Sequence, residues 1–564
     1  MRVRRAIAEV KYRPVLKRTG LEEARPGAER NFIIIHIDAL AFDYLLKAIR
    51  RGYMPFVRKL LESGNYRLAL WNCGLPSATP SFQAGLFYGD SFDICGFRWY
   101  EKDRNVTIEG KNPQSMHLVQ ERVAGGKIPL LRGGAAYFSM LDGGAANALF
   151  ALGSMDSSHF LQSVRGVTWA LLFLLNPVRF LRIFALSLWE YIRWWARRTF
   201  QTLFPSPLPW ATNPFLNIVV NILFREMQTY ACLMDIYRNL PAIYTNYYGY
   251  DEVAHQTGPA SEEAFRVLKG IDSQIRQIFK MCSEEPFDRY DIFIMSDHGL
   301  TPSVPFRKAY GQSFGDFVRE IVKETAIREF YGSERMEYRG PFRRLMEALR
   351  SVGNWPWNED AERVPEGTVV VSCSGPLAHI YFTAHRERLS LSQIGRLYPG
   401  VIEKLLEHPG VGIIAAEEGE EIRFLSSEGS LTWEKGRVRG DLSIFAPYGD
   451  PGEVAEEMAR LASFPHAGDL IVLGAMRKKG VIVTFEEQVA THGGPGGAQT
   501  RAFILYPSHV PLRVGPRTRA RDFYRFFLAY YRGKTLPEPL ALEVSEAGLE
   551  AGLTTSTARG ERKP

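Results

Sequence analysis

Two hydrophobic periods alternate along the N-terminal half of the chain. NFIIIHIDAL (31–40) is a continuous apolar run ending on Asp38, which reads as a strand covered on both faces. MPFVRKLLESG (54–64) repeats its apolar residues at helical spacing and closes on Gly64. YRLALWN (66–72) predicts a second strand, and TPSFQAGLFYG (79–89) a helix with Thr79 at its N-terminus and Gly89 near its end. AIYTNYYGY (242–250) runs as a strand up to Asp251. EEAFRVLKGIDSQIRQIFKMC (262–282) is helical, and YDIFIMSDHG (290–299) is a strand again. Strand and helix in strict alternation predict a parallel sheet with crossover helices. The expected fold class is therefore α/β: a doubly wound, mostly parallel sheet interrupted by a helical, membrane-interfacial insertion and a second α/β insertion.

The expected organisation is a basic arm (1–30), core segments at 31–100, 241–302 and 481–535, and a disordered tail (536–564). Between them lie a helical cap or membrane-interfacial insertion (101–240) and an α/β lobe (303–480). Within the first insertion, 166–204 mixes Leu, Trp and Arg. Its longest uncharged piece, Gly166 to Val178, is well short of the roughly 20 residues that span a bilayer. Two readings stand: an amphipathic hairpin lying in the interface of an anionic membrane, or a helical cap packed on the core.

Composition narrows the picture modestly. Of 564 residues, 46% are hydrophobic and 23% charged, as in ordinary globular proteins. The net charge of +7 favours anionic partners, with no feature specific to nucleic acid. The five cysteines, Cys73, Cys95, Cys232, Cys282 and Cys373, form no C-x-x-C pair and suggest no disulfide framework. The N-terminal stretch lacks an apolar run, so no secretory signal is expected and the protein is placed in the cytoplasm or peripherally on a membrane.

The chemistry gathers at the strand ends. Asp38 closes the first strand, and Asp297 and His298 close YDIFIMSDHG. Asp251 and His255 are four apart, on one face of a helical turn. His492 lies among glycines in ATHGGPGG. Mixed carboxylate and imidazole donors suit zinc, with manganese or iron as alternatives. Six of them are too many for one tetrahedral site and fit two metals about 4 Å apart. His36, alternating inside the first strand, reads instead as a core histidine. Ser77, Thr79 and Ser81 offer hydroxyls at a helix N-terminus, where the macrodipole and a metal would favour an alkoxide. Thr79 would equally serve as the N-cap.

In order along the chain, IIIHIDAL, MPFVRKLLESG, LPSATPSFQAGLFYG, YYGYDEVAHQTGP, IMSDHGL and THGGPGG resemble the alkaline phosphatase superfamily, in its type I phosphodiesterase / nucleotide pyrophosphatase branch. The resemblance covers roughly 30–100, 240–300 and 490–510. It implies that Asp251, His255 and His492 hold one metal, and that Asp38, Asp297 and His298 hold the other together with the Thr79 oxygen, the nucleophile. The sequence departs from the sulfatase branch, since CGLPS at Cys73 is not Cys-x-Pro-x-Arg, and no arginine matches the phosphate-gripping one of the monoesterases. The expectation is a two-metal phosphodiesterase acting on a small molecule or a lipid. A phosphoryl or head-group transferase acting on lipid is one alternative, and a catalytically silent membrane-associated binding protein is another.

Overall fold

The computed structural model describes residues 30–154, 177–203, 217–283, 285, 287–323, 327–330 and 364–533. The arm up to residue 29, the tail, and residues 166–176 and 204 of the proposed hairpin lie outside the described residues.

The central sheet has seven strands: β1 (Asn31–Ile37), β2 (Tyr66–Asn72), β3 (Ala135–Tyr137), β4 (Asn147–Leu149), β5 (Ala242–Tyr247), β6 (Tyr290–Met295) and β7 (Arg501–Pro507). Their order is β2-β7-β6-β1-β5-β3-β4. The block β6-β1-β5-β3-β4 is parallel throughout. β7 runs against both β6 and β2. All seven residues of β1 are buried, as expected for a β-branched strand with a parallel neighbour on each side. β3 and β4 come from within the span read as an insertion; at three residues each they are too short to show a period.

Helices cover both faces. Glu262–Cys282 begins at Ser261, whose hydroxyl caps Ala264 N–H, and packs on one side. Helix α1 (Thr79–Tyr88) packs on the other with all ten of its residues buried. A second sheet of eight strands runs from Ile327–Phe330 at one edge to Arg437–Gly440 at the other and is mostly antiparallel. A small third sheet pairs Ala490–Thr491 with Thr301–Pro305, matching Thr491 to Thr301. That pairing returns the chain from the second lobe to the carboxyl end of β6.

Helix α2 (Pro177–Leu203) lies on the outside of the molecule, at the place where an interfacial helix or a cap was expected. Its orientation is inverted. Val178, Leu181, Phe184, Leu188, Trp189, Ile192 and Trp195 face solvent. Three of its arginines turn inward instead: Arg179 reaches Glu226 at 3.0 Å, Arg182 reaches the same carboxylate at 3.3 Å, and Arg197 pairs with Glu263. No described helix is long and apolar enough to cross a membrane.

Candidate active site

Parallel strands deliver their C-terminal residues to one edge of the sheet, and open α/β sheets place their sites there. β1 ends one residue before Asp38 and β6 two residues before Asp297. After β5 the chain turns directly into α3 (Gly249–Thr257), which carries Asp251 and His255. Thr301–Thr491 pairing then sets His492 beside His298, and their rings stack at 4.0 Å. Two tight spots hold this arrangement. A Cβ on Gly299 would lie 2.1 Å from Ala498 O, and one on Gly493, at φ +119°, would lie 2.3 Å from Ser374 O. Glycine at these positions lets the His298 and His492 loops approach their neighbours.

The residues predicted from the sequence fall into two adjoining groups. Donor atoms of Asp251, His255 and His492 lie within 4.8 Å of one another. His255 Nε2 is 3.0 Å from Asp251 Oδ1. Backbone carbonyls orient the imidazoles: His255 Nδ1 meets Ala490 O at 2.7 Å and His492 Nδ1 meets Ser77 O at 2.8 Å. On the other side, His298 Nε2 is 3.1 Å from Asp297 Oδ2 and 3.8 Å from Asp38 Oδ1. Thr79 Oγ1 lies 3.4 Å from both Asp38 Oδ1 and His298 Nε2.

Thr79 is not the N-cap. Ala78 occupies that position without a side-chain bond, and Thr79 begins the helix. Its hydroxyl is turned toward Asp38 and His298 instead of back onto the helix's own N–H groups. Ser77 lies outside the cluster: its hydroxyl donates to Gly494 O and accepts from Gly493 N–H, tying down the His492 loop. Ser81 is buried within α1.

Two residues join the site that the sequence did not assign to it. His36 is a buried core residue, as its alternation indicates, with Nδ1 2.6 Å from Tyr244 Oη. Yet its Nε2 lies 3.0 Å from Asp297 Oδ1, outside hydrogen-bond direction, and it groups with Asp38 and Asp297 within 4.8 Å. Asn246 Nδ2 donates to Asp38 Oδ2 at 2.9 Å. Both sit on strands one residue inward of where periodicity ends, so their pattern is that of core positions.

The electrostatics of the cluster call for positive charge. Burial, with the adjacent Asp297 carboxylate, pushes the Asp38 carboxyl up to about 7. Burial opposes ionisation of Asp297 and Asp251 too, but His298 and His255 respectively hold them below the usual carboxylate range. His298 rises to about 9 because Asp297 outweighs burial, whereas burial and His298 drive His492 down to about 3. Asp251 Oδ1 and Asp297 Oδ2 are buried without a well-directed hydrogen bond. Buried acceptors of this kind are costly unless paired or metal-bound. Three carboxylates and their imidazoles in two adjoining sets fit two divalent cations. A third set, Glu101, Asp103 and His466, differs: Arg122 already reaches Glu101 at 2.7 Å and Asp93 at 3.0 Å.

Thr79, Asp38, Asp251, His255 and His492 open into a cavity of about 600 Å³. One wall is apolar, built from Phe138, Met140, Phe150, Leu152, Val220 and Phe224. Among the described residues, the cationic ones lining it, Arg98 and Lys111, are paired: Arg98 with Glu486 at 2.5 Å and Glu109 at 3.0 Å, and Lys111 with Glu252 at 3.0 Å.

A two-lobed α/β protein with acids and imidazoles at the carboxyl edge of a mostly parallel sheet defines the class. The chain belongs to the type I phosphodiesterase / nucleotide pyrophosphatase family, whose profile matches residues 32–339, more than half of its length. The match includes Asp38, Thr79, Asp251, His255, Asp297 and His298 and ends before His492. The family is one of phosphodiester and pyrophosphate hydrolases. Among solved structures, phosphonoacetate hydrolase from Sinorhizobium meliloti is 15% identical over 89% of this chain and 96% of its own, with a TM-score of 0.45. Murine ectonucleotide pyrophosphatase / phosphodiesterase 5 is 11% identical over 90% and 97%, with a TM-score of 0.44. The alkaline phosphatase PafA is 12% identical over 90% and 96%, with a TM-score of 0.46. No curated protein sequence matches significantly.

Proposed function

We propose that the protein hydrolyses a phosphodiester or pyrophosphate bond with Thr79 as nucleophile and two divalent metal ions, zinc foremost. The observation that carries this reading is the placement of Thr79 Oγ1 within 3.4 Å of both Asp38 and His298 at the floor of an open cavity. Asp251, His255 and His492 would hold one ion. Asp38, Asp297, His298 and Thr79 would hold the other. When bound, such ions lower the pKa of a coordinated hydroxyl and offset charge on the transferring phosphoryl group.

The residues themselves supply the rest. Thr79 stands at the first position of α1, so the positive end of that helix favours the alkoxide and the phosphoryl oxygens beside it. Asn246 holds Asp38 by one oxygen and leaves the other toward Thr79. Thr79 Oγ1 forms a bond to phosphorus as the bond to the leaving oxygen breaks. Water then attacks the phosphothreonine, freeing Thr79 and the second product. Arg98 and Lys111 are committed to carboxylates, so neither meets the second negative charge of a monoester. That supports a diester substrate, borne by a small molecule or a lipid. The outward apolar face of α2 supports a peripheral position on a membrane.

The test is a panel of nitrophenyl esters with zinc-replete protein. Bis(nitrophenyl) phosphate should turn over faster than the monoester or the sulfate. Monoester preference, or no turnover of any phosphate, would overturn the reading.

A further inference from the structure

The geometry points to a lipid phosphodiester, taken from the surface of an anionic bilayer seated on α2, with its apolar part lying on the aromatic wall of the cavity. This rests on the diesterase reading and names its substrate class.

The first observation is the inverted helix. α2 is about 40 Å long at 1.5 Å per residue. An ordinary surface helix hides its apolar stripe and shows its charges. Here Glu226, fully buried, collects Arg179 and Arg182 from the inner face, and Gln274 completes its shell at 2.7 Å. Those ion pairs fix the rotation of the helix and force the apolar stripe outward. Trp189 is 65% exposed, Leu181 64% and Trp195 59%.

The second observation is what covers that stripe. Among the described residues of α2, Arg198 is exposed and no carboxylate is: Glu190, the helix's one acid, is held by Arg193 at 2.7 Å. Tryptophan and tyrosine flanking leucine and isoleucine, with cationic but not anionic groups at the edge, match the interfacial zone of a bilayer bearing negative lipids.

The third observation joins this surface to the cavity. α2 packs against the π-helical turn Val219–Phe224, with Asn217 reaching Glu190 at 3.5 Å. Val220 and Phe224 of that turn line the cavity. Phe224 touches Phe138 and Phe150, at centroid separations of 5.1 Å and 5.6 Å, and Phe138 continues to Tyr248 at 6.1 Å. Phe150, 40% exposed, is the outer end of this aromatic surface, and Thr79 lies in the same cavity. A diester with one long apolar arm would thus be held along an apolar wall, its phosphate at the Thr79 oxygen.

The experiment uses the full chain, zinc-loaded, with phosphatidylcholine vesicles with and without phosphatidylglycerol. Two readouts are taken, co-sedimentation and phospholipid hydrolysis, beside turnover of soluble bis(nitrophenyl) phosphate. The variant Leu181→Gln/Trp189→Gln/Ile192→Gln/Trp195→Gln should lose sedimentation with anionic vesicles and at least about tenfold in lipid hydrolysis, with soluble turnover unchanged. Phe150→Ala should still sediment but cleave lipid with a raised KM. Wild-type protein that ignores anionic vesicles, or that cleaves the soluble diester but no lipid, overturns the inference and leaves the diesterase reading standing. So does a dimer in light scattering that the four-fold variant dissolves, since a second copy would then own the face. Failure on the soluble diester as well would remove both.

Discussion

Helices α1 and α2 break the amphipathic rule in opposite directions. α1 has no solvent face: Thr79 through Tyr88 are all buried, between the central sheet and the C-terminal helix Ala520–Arg532. α2 has a solvent face that is apolar and an inner face that carries arginines. The difference lies in what each helix is held by. α1 is fixed by packing, including a 2.9 Å approach that a Cβ on Gly85 would make to Ala520 Cβ, so its first residue is presented with little freedom. α2 is fixed by ion pairs to Glu226 and Glu263, which leaves its hydrophobic surface unspent. A rigid, packed helix suits the positioning of a nucleophile; an outward apolar one suits docking.

The largest effect is expected at the start of α1. Thr79→Ala should lower diester turnover by on the order of 10³-fold or more with the fold and metal content retained; near wild-type rates would detach α1 from the chemistry. Next is the support of the site: Asn246→Ala removes the hydrogen bond to Asp38 and should lower turnover about 10–100-fold. Stability should then separate the helices. Phe87→Ala, a fully buried side chain edge-on to Tyr244 at 4.8 Å, should cost about 3–5 kcal/mol in denaturant unfolding. On α2 the order reverses between faces. Arg179→Ala leaves buried Glu226 with a weaker partner and should cost about 2 kcal/mol, while Leu181→Gln on the outer face should change stability by no more than about 0.5 kcal/mol. A large loss in Leu181→Gln would mean the apolar face is packed after all, as a cap.

A pH-dependent effect lies away from both helices. Burial opposes charge on His466, but Asp93, 2.6 Å away, and Glu101 outweigh it and raise its pKa above 6.5. A raised folded pKa stabilises below the unfolded value and fades as pH rises past the folded one. His466→Gln should therefore lower Tm at about pH 5.5 and approach wild type by about pH 9; an equal difference at both would contradict the ion pair.

Much of the candidate site was legible because most of the candidate ligands follow a run with a clear period. Asp38 and Asp297 follow mainly apolar, fully buried strands, Asp251 and His255 share one helical face, and the Glu262–Cys282 helix has the predicted limits. Convergence itself depends on pairings such as Thr301 with Thr491, which no local pattern encodes. His36 and Asn246 were hidden because an inward strand position looks the same whether it faces core or site. Thr79 was readable as a cap because it stands at a helix start; the N-cap is Ala78, and the Thr79 hydroxyl turns toward Asp38. The pattern of 177–203 revealed two faces but not which one turns inward, since the deciding partners, Glu226 and Glu263, lie on other elements.

The claim that everything else depends on is that two sets of acids and imidazoles hold cations beside Thr79. Elemental analysis of the purified protein tests it directly. The expected result is about two divalent ions per chain, falling to about one when Asp251 and His492 are replaced by alanine together. A metal-free chain that turns over phosphodiesters at full rate in the presence of a chelator would contradict it.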